Sequence, residues 1–193
     1  MKLKIVLAGL LIAGSMPLFS QSAPMATQGV LPLTVGFGMS SWDVDWAHGR
    51  MQGVTAWADW NFYQAPSVLR GLGIEAEGRD INWGRVHQPT NYRQDTAEGG
   101  PIYTVRRFSR FQPYGKLLFG IGSMDFTIPH YAHYHHDTRG LYAPGGGITF
   151  NATKSILVRV DYEYQFWGKM LGGTPDPQGF TVGAAYDFSR RGR

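Results

Sequence analysis

The 193-residue chain contains no cysteine, so neither disulfides nor thiolate metal ligands can stabilise an exported form of it. Charge is scarce as well: Asp, Glu, Lys and Arg make up 17% of the residues, below the roughly 25% of typical soluble domains. Past the first twenty or so residues no apolar run reaches the roughly 18 residues that a membrane-crossing helix needs, and helical periodicity is nearly absent. Glycine (26 residues) and aromatic side chains (14%) are plentiful instead. A glycine- and aromatic-rich chain with few charges and no helical pattern points to β structure, with stability supplied by packing or by a membrane.

The chain opens with MKLKIVLAGLLIAGSMPLFSQSA. Lys2 and Lys4 form a positive start, Ile5 to Ala13 an apolar stretch too short to span a bilayer, and Ser20-Gln21-Ser22 a small-residue cleavage site. Residues 1–22 therefore read as a cleaved signal peptide of an exported protein, and residues 23–32 as a lead-in. The leader holds two lysines and no acids, so its loss takes the formal net charge from +4 to +2. That is too small an excess for a nucleic-acid binder.

Alternation of apolar and polar residues then recurs in eight segments, at 33–42, 54–63, 69–83, 101–108, 113–123, 141–150, 155–167 and 179–188, separated by Gly, Pro, Asn and Asp clusters. The clearest is SILVRVDYEYQFW, where Ile156, Val158, Val160, Tyr162, Tyr164 and Phe166 alternate with Leu157, Arg159, Asp161, Glu163 and Gln165. The links at 64–68, 109–112 and 151–154 are short, whereas Gly84 to Gly100 and Met124 to Gly140 read as long loops. An even number of such strands, with tight turns at one end and long loops at the other, predicts an all-β fold: an eight-stranded antiparallel up-and-down transmembrane β-barrel over residues 33–188. Residues 189–193 follow as a short basic periplasmic tail.

In lipid a closed barrel turns its apolar face outward, so the charged positions point inward. The expected inward set is Asp59, Glu75, Glu77, Arg79, Arg106, Lys116, Arg159, Asp161, Glu163 and Asp187. Eight strands enclose a lumen just wide enough for side chains, and these charges are expected to pair there as an ion network. With the N-terminus in the periplasm, Trp42, Trp83 and Trp167 fall at the long-loop end and Phe62, Phe108, Phe150 and Phe188 at the short-turn end. Both groups are expected at the bilayer interfaces.

With PYGKLLFGIG, YAPGGGITF, VRVDYEYQFW and FTVGAAYDF in place, the sequence resembles the OmpA-like and porin-like eight-stranded outer-membrane β-barrels. The resemblance implies an outer-membrane location and a structural or envelope role or a narrow passive pore. It also implies a monomer surrounded by outer-membrane lipid and lipopolysaccharide, with no cofactor and no enzymatic activity. Thr181, Gly183, Tyr186 and Phe188 look like the C-terminal strand signal read by the barrel assembly machinery, although SRRGR follows the last aromatic. A peptidoglycan tether is not implied.

Other features suggest other chemistry. HYAHYHHD (130–137) offers imidazoles and Asp137 for Zn²⁺ or Cu²⁺, with His133 and His135 on one face of an extended segment, but its spacing matches no defined motif. Gly145 to Gly147 lacks the Lys-Ser/Thr of a phosphate loop and reads as strand glycine crowded by a neighbour. Asn151-Ala152-Thr153 reads as a turn. An outer-membrane lipid A-modifying enzyme could use Ser40, His48 and His87, which no nucleophile motif unites. A soluble lipocalin-like ligand-binding barrel would require the opposite faces inside.

Overall fold

The computed structural model describes residues 31–45, 49–62, 66, 69–84, 90–106, 110–127, 134–169 and 173–190. The leader and His48, His87, Phe108, His130 and His133 lie outside them, as do the side chains of Phe126, Tyr134 and His135.

Nine strand segments build the wall: β1 (Leu33–Asp43), β2 (Arg50–Asn61), β3 (Leu72–Trp83), β4 (Thr90–Thr104), β5 (Phe111–Thr127), β6 (Tyr134–Asn151), β7 (Ile156–Tyr164), β8 (Phe166–Trp167) and β9 (Gln178–Asp187). β7 and β8 are two parts of one stave, interrupted at Gln165, so the staves number eight. Each pairs antiparallel with its sequence neighbours, and β9 pairs back onto β1 through Val35↔Tyr186 and Gly38↔Gly183. That pairing closes the sheet and removes its edges through the membrane zone, as lipid requires of every spanning backbone.

Period two decides what faces where. Val35, Phe37, Met39, Ile74, Phe119, Ile121, Ile148, Val158, Val160 and Val182 all stand outward and exposed, as a belt around the barrel. Glu75, Glu77, Arg79, Lys116, Arg159, Asp161 and Glu163 stand inward and buried. A lipocalin-like barrel has the reverse arrangement, and that reading falls here. On β2, β3 and β4 the outward positions at mid-height are small: Ala58 pairs with Ala76 and Ala76 with Gly99, while Ala56 pairs with Gly78 and Gly78 with Ala97.

Two stretches expected as long loops are largely strand. β4 starts at Thr90, not residue 101, and β5 and β6 run on to Thr127 and back from Tyr134. The reason is that hydropathy alternation marks a strand only where one face meets hydrocarbon. In the extensions the outward positions are Arg93, Asp95, Ser123, Asp125, His136 and Thr138, so the outward face turns polar and the apolar-out alternation is lost. The ladder nevertheless continues through Asp95↔Ser123, Ser123↔Thr138 and Asp125↔His136. β2 likewise starts earlier than its apolar pattern, at Arg50.

Trp42 and Trp167 depart from the expectation of an interfacial girdle. Both are buried in the lumen, at 0% and 4% exposure, because both fall on the inward parity of their strands. Trp83 is the exposed one of the three.

The face assignment has a direct test at Val160, outward near mid-strand. Val160→Arg is expected to destabilise the folded protein by about 2 to 4 kcal/mol in bilayer refolding titrations. Unchanged stability would mean that this face does not meet lipid.

Candidate functional site: the filled lumen

The inward residues stack in three layers. The uppermost is apolar, with Trp42, Val44, Met51, Ile81, Leu118, Met124, Leu141 and Trp167 in one buried cluster. The lowest is smaller and centres on Trp57, Leu157 and Ala185. Trp57 lies across β1 and β9, where Gly36 and Gly183 leave room for it; a Cβ on Gly183 would fall 2.7 Å from the Trp57 ring. Gly122 makes the same allowance for the Trp167 ring.

Between these layers lies the ion network. Lys116 Nζ, projecting from β5, reaches Glu75 Oε1 at 3.1 Å, Glu77 Oε2 at 2.7 Å, Asp161 Oδ1 at 3.2 Å and Glu163 Oε2 at 2.9 Å. Arg159 grips both Glu75 oxygens, at 2.7 and 3.0 Å, and donates to Asp161 Oδ2 at 2.9 Å. Its Nε donates to the Tyr114 hydroxyl at 2.6 Å, which in turn donates to Asp161. Arg79 pairs with Glu77, with Glu163 Oε1 at 3.0 Å and with Glu98 Oε1 at 3.6 Å, and donates to Thr55 Oγ1 at 3.2 Å. The two guanidiniums also face rings: Arg79 lies 4.0 Å from the Trp42 centroid and Arg159 lies 4.8 Å from that of Trp57. Each apolar layer thus meets the ionic one through a cation–π contact.

Of the sequence-selected charges, the structure gathers Glu75, Glu77, Arg79, Lys116, Arg159, Asp161 and Glu163 into this single cluster. Asp59 sits at its margin, with Oδ1 3.7 Å from Arg159 Nη1. Arg106 stands apart: it follows the end of β4 and donates to Asn61 Oδ1 at 2.7 Å, below the cluster. Asp187 is buried at the lower end of β9, where its Oδ1 accepts the Ser189 amide at 2.9 Å.

Glu98, Gln94 and Tyr114 escaped the sequence reading. Glu98 and Gln94 sit in the part of β4 expected as a loop, and Tyr114 lies within the fifth expected strand but, bearing no formal charge, is absent from the charged inward set. Inward parity, counted back from Ile102 and Lys116, would have found all three. Gln165 Nε2 donates to Glu98 Oε1 at 2.6 Å and Glu163 Oε1 at 3.0 Å, while its Oε1 accepts from Gln94 Nε2 at 3.2 Å and Trp167 Nε1 at 3.0 Å. This chain carries the polar network up into the tryptophan layer. Gly145 and Gly147 line β6 beside it, and Cβ atoms there would stand 3.0 Å from Lys116 Cε and 2.7 Å from the Tyr114 hydroxyl.

The other candidate sites come apart. Ser40 is buried in the lumen, its hydroxyl bonded to Thr55 at 2.5 Å and Thr181 at 2.7 Å. In the histidine segment, His136 Nδ1 bonds outward-facing Asp125, while Asp137 pairs with Arg139 at 2.9 Å. Among the described residues the carboxylates close enough to share a metal ion are Glu77, Asp161 and Glu163, and the Lys116 ammonium occupies their midst. In the C-terminal strand, Thr181 faces inward toward Ser40, whereas Tyr186 faces outward and meets Phe188 edge-on at 4.8 Å.

Removing the central cation leaves four buried carboxylates without it. Lys116→Met is expected to cost about 3 to 5 kcal/mol, against at most about 1 kcal/mol for Arg93→Gln at an exposed pair. Urea unfolding in detergent, followed by tryptophan fluorescence, measures both; equal effects would remove Lys116 from its central role.

The outer membrane protein beta-barrel domain family matches residues 7–188 of the chain. No curated protein matches it in sequence. Among solved structures, Neisserial surface protein A superposes with a TM-score of 0.59 at 11% identity, covering 80% of this chain and 95% of its own. Ail, the attachment invasion locus protein of Yersinia pestis, gives 0.52 at 17% identity, covering 80% and 95%. The outer membrane protein OprG of Pseudomonas aeruginosa gives 0.54 at 11% identity, covering 80% and 94%. At these identities the likeness concerns the fold.

Proposed function

The chain belongs to the outer membrane protein β-barrel family, and from that premise we propose that it serves the cell envelope as a sealed integral barrel, working through its two ends and not through its lumen. The observation that carries this reading is the occupied interior: a solvated pore needs a continuous polar path, and here an ionic layer is closed above by Trp42 and Trp167 and below by Trp57. A conducting path would have to separate Lys116 from four carboxylates held within 3.2 Å. The narrow passive pore is the weaker of the two readings for that reason.

In this reading the short-turn end and both termini face the periplasm, and the prolonged β4, β5 and β6 stand outside the cell. Outer-membrane lipid and lipopolysaccharide surround a monomer, and the assembly machinery inserts it through β9, whose outward Tyr186 meets Phe188, just past the strand, edge-on. The proposal includes no catalytic activity, a reading supported by the lumen-locked Ser40 hydroxyl.

Planar-bilayer recording of the purified protein tests it. The expected trace has no stepwise conductance, while the unboiled protein migrates differently from the boiled one on a detergent gel. Regular steps from a heat-modifiable barrel would overturn the sealed reading, and an altered lipid A acyl pattern in cells lacking the protein would overturn the non-enzymatic one.

A further inference from the structure

Charge is divided unequally between the two ends of the barrel. At the upper end cations stand among acids: Arg93 pairs with Asp80 and Asp95 at 2.9 Å each, and Arg139 with Asp137 at 2.9 Å. At the lower end the connections 62–71, 105–110 and 152–155, together with the residues after β9, contain arginines and a lysine but no Asp or Glu. Arg70, Arg110 and Lys154 are exposed there, one on each connection, and the sequence places further arginines at 107, 190, 191 and 193. The acid nearest this end in sequence, Asp187, is buried and turned to Ser189.

Directly above these cations runs an aromatic girdle. Trp60, Tyr103, Phe111 and Tyr186 are exposed at the lower ends of their strands, and Phe111 packs against Phe150 at 5.1 Å between centroids. Exposed aromatics at strand ends sit at the level of the lipid headgroups. Arg110 directly precedes Phe111, and Arg70 and Lys154 each lie two residues before a strand. At about 3.3 Å of rise per residue, their cationic heads fall within reach of that level.

We propose that this basic rim binds the phosphate groups of anionic phospholipids in the periplasmic leaflet. The inference rests on the orientation given above. A ring decides for lipid over a folded partner: the cations lie on three successive connections at the same end of the barrel, each within two residues of a strand, which fits a plane of headgroups, whereas a protein surface meets a patch on one side. Each cation held near an anionic leaflet adds to the attraction, which decays within a Debye length and weakens with salt.

The test uses protein purified from membranes in mild detergent, its fold verified by the heat-dependent gel shift, and given equal amounts of phosphatidylglycerol and phosphatidylcholine. Native mass spectrometry then counts the retained lipids. Phosphatidylglycerol is expected to exceed phosphatidylcholine on the order of tenfold at low salt and to approach parity at about 0.5 M NaCl. The R70Q/R110Q/K154Q variant is expected to lose most of that preference, while R50Q/R93Q, at the opposite end, keeps it. Equal retention by the folded native protein would overturn the proposal and leave the sealed-barrel reading standing. A preference that survives the triple variant, or that disappears in R50Q/R93Q, overturns it as well. A protein without the gel shift would instead count against the membrane barrel itself.

Discussion

One ammonium group ties the interior together. Lys116 comes from β5, while its carboxylate partners come in pairs from β3 and β7, so a single point charge bridges three staves across the lumen. Charges removed from water are tolerable only when paired and hydrogen-bonded. The surrounding sequence follows from that demand. Arg159 and Arg79 divide the remaining carboxylate oxygens between them, Tyr114 and Gln165 supply the neutral donors, and Gly145 and Gly147 leave the space these side chains fill.

The tryptophans act on the same network from above and below. Trp42 faces Arg79 and Trp57 faces Arg159, so each ring excludes water from one side of a guanidinium while offering its π face in return. Sealing and ion pairing are therefore coupled. Within a barrel of this size the interior is a core like that of a soluble domain, turned to polar chemistry because the apolar side chains are needed outside.

Much of this was legible in the sequence, because lipid on one side and a packed lumen on the other impose the strictest alternation a chain can carry. SILVRVDYEYQFW displayed both faces over its whole length, and the luminal charges on β3, β5 and β7 could be named from parity alone. Where the strands rise past the hydrocarbon, Arg93, Asp95 and Asp125 replace apolar residues on the outward side and the signal fades, although the hydrogen-bonded ladder does not. Glu98 was lost with that stretch. Trp42 and Trp167 differ for another reason: tryptophan's preference for interfaces predicts a girdle, whereas the parity of their own strands turns both rings into the lumen. Which charge meets which partner was never readable, since contacts such as Arg79 with Glu163 depend on the shear and closure of the whole sheet.

The alternation has a further consequence on the thin side of the wall, where Ala76, Gly78 and Ala97 cover the outside and Glu77 and Glu98 lie one residue away on the inside. Because the side-chain period is two, sliding a strand by one residue would turn those carboxylates into hydrocarbon and strand their cationic partners within. Small errors of register are therefore not small in energy. The buried charges work as proofreading for strand pairing: mispaired arrangements are penalised many-fold, and the correct register is the one in which the inward charges of β3, β5 and β7 meet one another across the lumen.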